Sequence, residues 1–107
     1  MFVSELKALQ IMIRAWAARV FPERSRLDVE TQVQQAIRKL KKEIEELEQN
    51  SMGEDEFADV AIILFDIAEM RGHDILKAVI KKLAVNYDRV WNLESDGTYQ
   101  HVEEDAK

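Results

Sequence analysis

The chain has 107 residues, of which 47% are hydrophobic and 34% charged, and this predicts one soluble globular domain with a moderate core. A net charge of −6 argues against a general nucleic-acid-binding surface, and the absence of cysteine excludes thiolate chemistry, zinc–cysteine sites and disulfides. Only three glycines and one proline interrupt the sequence, which favours long helices and an all-α fold over a β-sandwich.

The first predicted helix covers about residues 3–21, because apolar residues recur along it at steps of three and four. Charged residues interrupt its apolar stripe, so the N-terminal segment does not have the pattern of a signal peptide. Together with the lack of cysteine, this leads us to expect a cytoplasmic protein. Pro22 ends the helix, and a loop is predicted to follow through about Leu27.

The second predicted helix begins after Asp28, which is a plausible N-cap residue, and carries an apolar stripe as far as Leu47. Residues 50–53 are predicted to form a turn. Ser51 and Glu54 have the spacing of a capping box and could start the third helix. Gly72 fits the position that ends that helix.

The third helix, over residues 56–70, is apolar almost all the way round, which predicts burial on both sides. On a helical projection Asp59 faces the core. Burying an ionised carboxylate costs several kcal/mol, roughly, unless a cation or a proton compensates its charge. The apolar run between Val60 and Phe65 is far shorter than the roughly 20 residues of a membrane span, so no association with a membrane is expected.

The fourth predicted helix reaches about Trp91, with Val79 and Leu83 facing inward, and residues 95–107 form an acidic tail to which no regular structure is assigned. The predicted architecture is therefore a four-helix, bundle-like domain over residues 1–94 followed by a tail. Since the third helix needs cover on both sides in a small domain, we expect the core to be completed by self-association.

Two carboxylate pairs at the same spacing are the main candidates for chemistry. Glu43 with Glu46, and Glu56 with Asp59, are each three residues apart and so share a helix face. A short turn between their helices would bring the pairs together, and four adjacent carboxylates repel unless a hard cation such as Mg²⁺ or Mn²⁺ binds among them. The alternative is that these acids form a solvated helix face, as most charge runs do.

A polar strip on the fourth helix is a second candidate. Lys82, Asn86 and Arg89 are spaced by four and three residues and project in nearly one direction. Such a strip could bind phosphate groups, or it could be a solvated basic face. The spacing alone does not separate these interpretations.

The order of these motifs resembles a known family. KEIEE at residues 42–46, EFAD at 56–59 and KLAVNYDRVW at 82–91 are similar to segments of the MazG-like all-α nucleoside triphosphate pyrophosphatases, and most similar to the short, phage-associated branch described as dATP/dGTP pyrophosphohydrolase-like. The family signature is Glu-Glu-x-x-Glu followed by Glu-x-x-Asp, and the likeness covers residues 36–91. The first glutamate of the signature is replaced here by Lys42.

The resemblance implies an Mg²⁺-dependent enzyme, with Mn²⁺ as an alternative ion, that converts a nucleoside triphosphate such as dATP or dGTP to the monophosphate and pyrophosphate. It assigns metal binding to the two carboxylate pairs and phosphate binding to the polar strip. Either Glu43 or Glu46 would act as the general base. It also implies a homodimer or homotetramer, encoded by a phage or prophage and acting in the host cytoplasm. The alternatives are a non-enzymatic helical adaptor or regulator and, because of Lys42, a catalytically silent relative.

Overall fold

The computed structural model describes residues 5–103, and within that range the chain forms five helices and two short strands. The elements are α1 (Glu5–Val20), α2 (Pro22–Ser25), α3 (Val29–Gln49), α4 (Glu54–Met70), α5 (Ile75–Tyr87), β1 (Trp91–Leu93) and β2 (Tyr99–His101). The chain divides into two compact units, one ending at Leu76 and the other beginning at Lys77. The predicted all-α class is confirmed, because the strands are only three residues long.

The first unit is built around α4, which packs against both α1 and α3. Among the described residues, the buried apolar ones are Ile13 and Ala17 from α1 and Val33 and Ala36 from α3. The predicted start of the first helix, before Glu5, lies outside the described residues. Its predicted end is correct to within one residue, since α1 stops at Val20, two residues before Pro22.

The connection between α1 and α3 is more regular than predicted. A four-residue helix, α2, replaces the expected loop, with Pro22 in its first turn, where the missing N–H of proline removes no helical bond. The predicted N-cap of α3 is confirmed, because the Asp28 side chain accepts a hydrogen bond of 2.7 Å from the backbone N–H of Thr31. This bond satisfies one of the free N–H groups in the first turn.

The turn that joins α3 to α4 differs from its prediction at the cap. Gly53 is the N-cap residue of α4, with no side-chain cap bond, so the capping box of Ser51 and Glu54 is wrong. A Cβ atom on Gly53 would lie 2.7 Å from the side-chain nitrogen of Asn50, so the Asn50 side chain would have to move to admit one. The other end of α4 is as predicted: Gly72 has φ +75° and follows the last turn.

Gln10 ties α1 to the segment that follows α4. Its side chain is completely buried, and its Nε2 donates to Glu69 Oε1 at 2.9 Å and to the carbonyl of His73. Its Oε1 accepts a hydrogen bond of 3.1 Å from the N–H of Ile75, the first residue of α5. One amide side chain therefore satisfies backbone groups at both the turn and the new helix, and Lys7 adds an ion pair of 2.7 Å to Glu69.

The second unit corrects the prediction for the C-terminal part of the chain. The fourth predicted helix ends at Tyr87 instead of Trp91, and Val79 and Leu83, predicted to face inward, are exposed. Residues assigned to an irregular tail form β2, which pairs antiparallel with β1 in the register Trp91↔His101 and Leu93↔Tyr99. The turn of this hairpin is set locally, because Asp96 accepts hydrogen bonds from Thr98 and Gly97 adopts φ +89°.

Burial along α4 is less complete than the sequence indicated. Phe57 and Leu64, on the side predicted to be covered, are 54% and 42% exposed in the single chain. Coverage of that side by a second copy stays a prediction. No helix within residues 5–103 combines the length and apolarity needed to cross a membrane.

Candidate metal and nucleotide site

The turn at residues 50–53 folds α4 back against α3 and brings the two carboxylate pairs face to face. One oxygen from each of Glu43, Glu46, Glu56 and Asp59 lies within 4.8 Å of the other three. We call this group the acidic cluster. Spacing of three residues places each pair on one helix face, so the meeting of the pairs follows from the packing of two helices.

Within the acidic cluster, the buried carboxylate is not the one that the sequence analysis expected. Glu43 is buried, with 5% of its surface exposed, whereas Asp59 is exposed. The prediction that Asp59 is the buried acid is wrong, because its side of α4 borders a pocket and not the core. The carboxylate that α4 does bury is Asp66, seven residues further along the helix.

A lysine and a neighbouring carboxylate set the electrostatics of Glu43. Lys39 Nζ lies 2.8 Å from Glu43 Oε1, and this hydrogen bond holds the pKa of Glu43 below its usual value and raises that of Lys39. The adjacent Glu43 carboxylate raises the pKa of Glu46, since two carboxylates in contact can share a proton. Glu43 Oε2 is also buried and accepts no hydrogen bond from any described residue. A buried acceptor without a donor is unfavourable and suits a further ligand.

A charged network that the sequence analysis missed surrounds Asp66. Arg14 from α1 donates to its Oδ1 at 3.1 Å, and Arg24 from α2 donates to its Oδ2 at 2.8 Å. Arg14 also donates to Gln32 Oε1 on α3, so all four helices of the first unit meet at this carboxylate. The signal was present in the sequence, because Asp66 ends the apolar run of α4, but the argument for a compensated buried acid was applied to Asp59.

A pocket of about 700 Å³ lies in the first unit beside the acidic cluster. Glu43, Asp59 and Lys39 lie together in its lining, and we call this part the charged end. Glu23, Arg24 and Asp66 also line the pocket, and most of the other lining residues are apolar or aromatic. Trp16 and Phe21 contact edge to face, with ring centroids 5.4 Å apart. The lining residues are Trp16, Val20, Phe21, Glu23, Arg24, Leu27, Gln35, Ala36, Lys39, Glu43, Asp59, Ile62, Ile63 and Asp66. The sequence analysis treated Trp16 as a core or edge aromatic residue and did not place it near the carboxylates.

The predicted polar strip belongs to the second unit. Lys82 and Asn86 lie on α5, and Arg89 follows the end of that helix. Arg89 Nη1 donates to Asn86 Oδ1 over 3.4 Å, a long hydrogen bond, and Lys82 is exposed. These contacts keep two members of the strip together, and phosphate binding by the strip stays a prediction.

The arrangement of helices around the acidic cluster is that of the MazG-like pyrophosphohydrolases. A solved structure of the MazG-like pyrophosphohydrolase of cyanophage S-2L, bound to dGDP and three catalytic Mn²⁺ ions per active site, superposes with a TM-score of 0.75. That structure is 31% identical in sequence, and the match covers 94% of this chain and 100% of the other.

Sequence comparisons place the chain within one branch of that class. The family model for dATP/dGTP pyrophosphohydrolase matches residues 12–107, so the chain belongs to this family. A dATP/dGTP diphosphohydrolase of Salmonella phage PMBT28 is 48% identical over 95 residues, and one of cyanophage S-2L is 34% identical over 96. Each match covers 88% of this chain. The match covers 85% of the length of the cyanophage relative but only 30% of the length of the Salmonella phage relative.

Proposed function

We propose that the protein is a divalent-metal-dependent pyrophosphohydrolase that converts dATP or dGTP to the nucleoside monophosphate and pyrophosphate. Membership of the dATP/dGTP pyrophosphohydrolase family supports the activity, and the names of two phage relatives support the substrates. The solved relative carries dGDP and Mn²⁺, which supports a metal-bound nucleotide. We further propose that the protein is phage-encoded and acts in the host cytoplasm.

The observation that carries this proposal is the convergence of four carboxylates on one position, with a buried oxygen of Glu43 to which no residue in the described range donates. Carboxylate oxygens are the ligands that Mg²⁺ and Mn²⁺ prefer, and the repulsion within the cluster is relieved by a doubly charged ion. The residues therefore fit such an ion, which Glu43, Glu46, Glu56 and Asp59 would hold. We propose Mg²⁺ as the physiological metal and expect Mn²⁺ to replace it.

When bound, the metal would neutralise phosphate charge and favour attack by water. The side chains of the protein would hold the reacting groups in position and accept the proton of the attacking water. Glu43 is held by burial and by Lys39, so it suits a fixed ligand, whereas Glu46 is exposed and suits the general base. A Glu46 carboxylate oxygen would take a proton from the attacking water as the water oxygen bonds to the α-phosphorus. The P–O bond between the α-phosphorus and the bridging oxygen then breaks, and pyrophosphate leaves with that oxygen.

The pocket provides a place for the nucleoside. Its apolar wall, which includes Trp16 and Phe21, suits a purine ring, and its charged end lies at the acidic cluster, where the phosphates are needed. We also propose, from the family resemblance, that Lys82, Asn86 and Arg89 bind the phosphates. Replacing Lys82 by Met should then raise KM for dGTP more than it lowers kcat.

The direct test is release of pyrophosphate from each common dNTP and NTP in the presence of Mg²⁺ or Mn²⁺. We expect dATP and dGTP to be the best substrates, and Glu43→Gln and Asp59→Asn to abolish release. Glu45→Gln is the matched control, because it removes the same charge from an exposed position on α3 outside the acidic cluster. Metal binding without pyrophosphate release would instead favour the silent relative that Lys42 suggests, and neither binding nor release would favour an adaptor.

A further inference from the structure

We infer that Lys39 is a built-in countercation of the acidic cluster, which competes with the metal for Glu43 and, once displaced, contacts the phosphates of the nucleotide. This inference rests on the proposed function and adds a nucleotide-binding role for a residue outside the family signature. It concerns the ammonium group of Lys39, the carboxylate of Glu43 and the end of the pocket that both residues line.

Lys39 contacts the acidic cluster, but its side chain is not held there by burial. Lys39 precedes Glu43 by one turn of α3, and its Nζ lies 2.8 Å from Glu43 Oε1. The Glu43 side chain is only 6% exposed, whereas that of Lys39 is 61% exposed. One partner of this ion pair is therefore held by its surroundings, and the other is a flexible, largely solvated chain that can leave at little cost.

The charges explain why the lysine would leave. Without a metal, one ammonium group offsets part of the charge of four carboxylates, and the buried one is the partner that it contacts. A divalent cation at the same carboxylates repels the ammonium and offsets their charge more completely. A nucleotide then brings several negative charges to the charged end of the pocket, where Lys39 can form new charge-assisted hydrogen bonds.

The first measurement is Mn²⁺ binding by isothermal titration calorimetry without nucleotide, using the wild type, Lys39→Met and Lys41→Met. We expect Lys39→Met to bind Mn²⁺ about two- to fivefold more tightly, the range that corresponds to the loss of one mostly exposed ion pair. Lys41 is exposed on the same helix, so Lys41→Met removes the same charge and should leave the affinity nearly unchanged. Unchanged or weaker Mn²⁺ binding by Lys39→Met would overturn the inference.

The second measurement is dGDP binding at saturating Mn²⁺, which involves no turnover. The substitution that strengthens Mn²⁺ binding should weaken nucleotide binding. Lys39→Met should bind dGDP on the order of tenfold more weakly than the wild type, since it loses a charge-assisted hydrogen bond. Lys39→Arg should recover part of this lost affinity. Equal dGDP affinity for the wild type and Lys39→Met would also overturn the inference, with the proposed function intact. If the wild type bound no Mn²⁺, the proposed function itself would fail, and this inference with it.

Discussion

Replacing Asp66 by Asn should destabilise the protein more than the loss of one surface charge would. The substitution keeps the shape of the side chain but leaves Arg14 and Arg24, at 3.1 and 2.8 Å, without an anionic partner. The Asp66 side chain is 6% exposed, and those of the two arginines are 24% and 15% exposed. Removing one partner from a buried ion pair costs about 3–5 kcal/mol, and the remaining solvent contact of the arginines places this site near 3 kcal/mol.

Urea unfolding followed by circular dichroism measures this effect. With a slope of about 1.5 kcal/mol/M, a loss of about 3 kcal/mol lowers the midpoint by about 2 M. Glu48→Gln, which removes a carboxylate from an exposed position of α3, is the control and should change stability by less than about 0.5 kcal/mol. A loss below about 1 kcal/mol for Asp66→Asn would refute the reasoning, because it would mean that solvent screens this network as it screens a surface ion pair.

Three further results are expected. Gln10→Leu should cost about 1–3 kcal/mol in urea unfolding, because the N–H of Ile75 loses its acceptor in a partly buried place, and a loss near zero would show that water replaces the amide. Mg²⁺ at about 100 times its Kd should stabilise the wild type by about 2.7 kcal/mol in thermal melts, and an equal gain in Asp59→Asn would contradict metal binding at the acidic cluster. Hydrogen bonds from Lys7 and Gln10 lower the pKa of Glu69. The ionised carboxylate therefore stabilises the fold at pH values above its ordinary pKa of 4.5, and this stabilisation is lost as the pH falls through the lowered pKa. The stability difference between the wild type and Glu69→Gln should therefore shrink in acid, and a constant difference from pH 7 to pH 3 would be inconsistent with this.

The features that the sequence predicted well depend on local spacing. Helix periodicity gave the class of the fold, and the steps of three residues gave the two carboxylate pairs, because neighbours on a helix face are fixed by the geometry of the helix itself. The N-cap at Asp28 and the end of α4 at Gly72 are equally local. These features need no knowledge of which helices pack together.

The features that the sequence did not predict depend on distant parts of the chain. The partners of Asp66 are 52 and 42 residues away, so no local pattern identifies them. Projection of α4 identified apolar sides but not what covers them, and Asp59 was therefore placed in the core. The β1–β2 hairpin was missed for a different reason: its strands are short and almost wholly exposed, so they have no alternation between buried and exposed positions.

The position of Arg24 limits how the specificity of this protein can be altered. Its guanidinium lies over the Phe21 ring in the pocket wall and also binds Asp66, so one side chain both lines the proposed nucleotide pocket and stabilises the fold. A substitution of Arg24 that reshapes the pocket would also weaken the fold, and selection for a new substrate would tend to discard it. Trp16 and Leu27 line the same pocket and are not among the polar partners of that carboxylate, so they are better starting positions for engineering a new base preference.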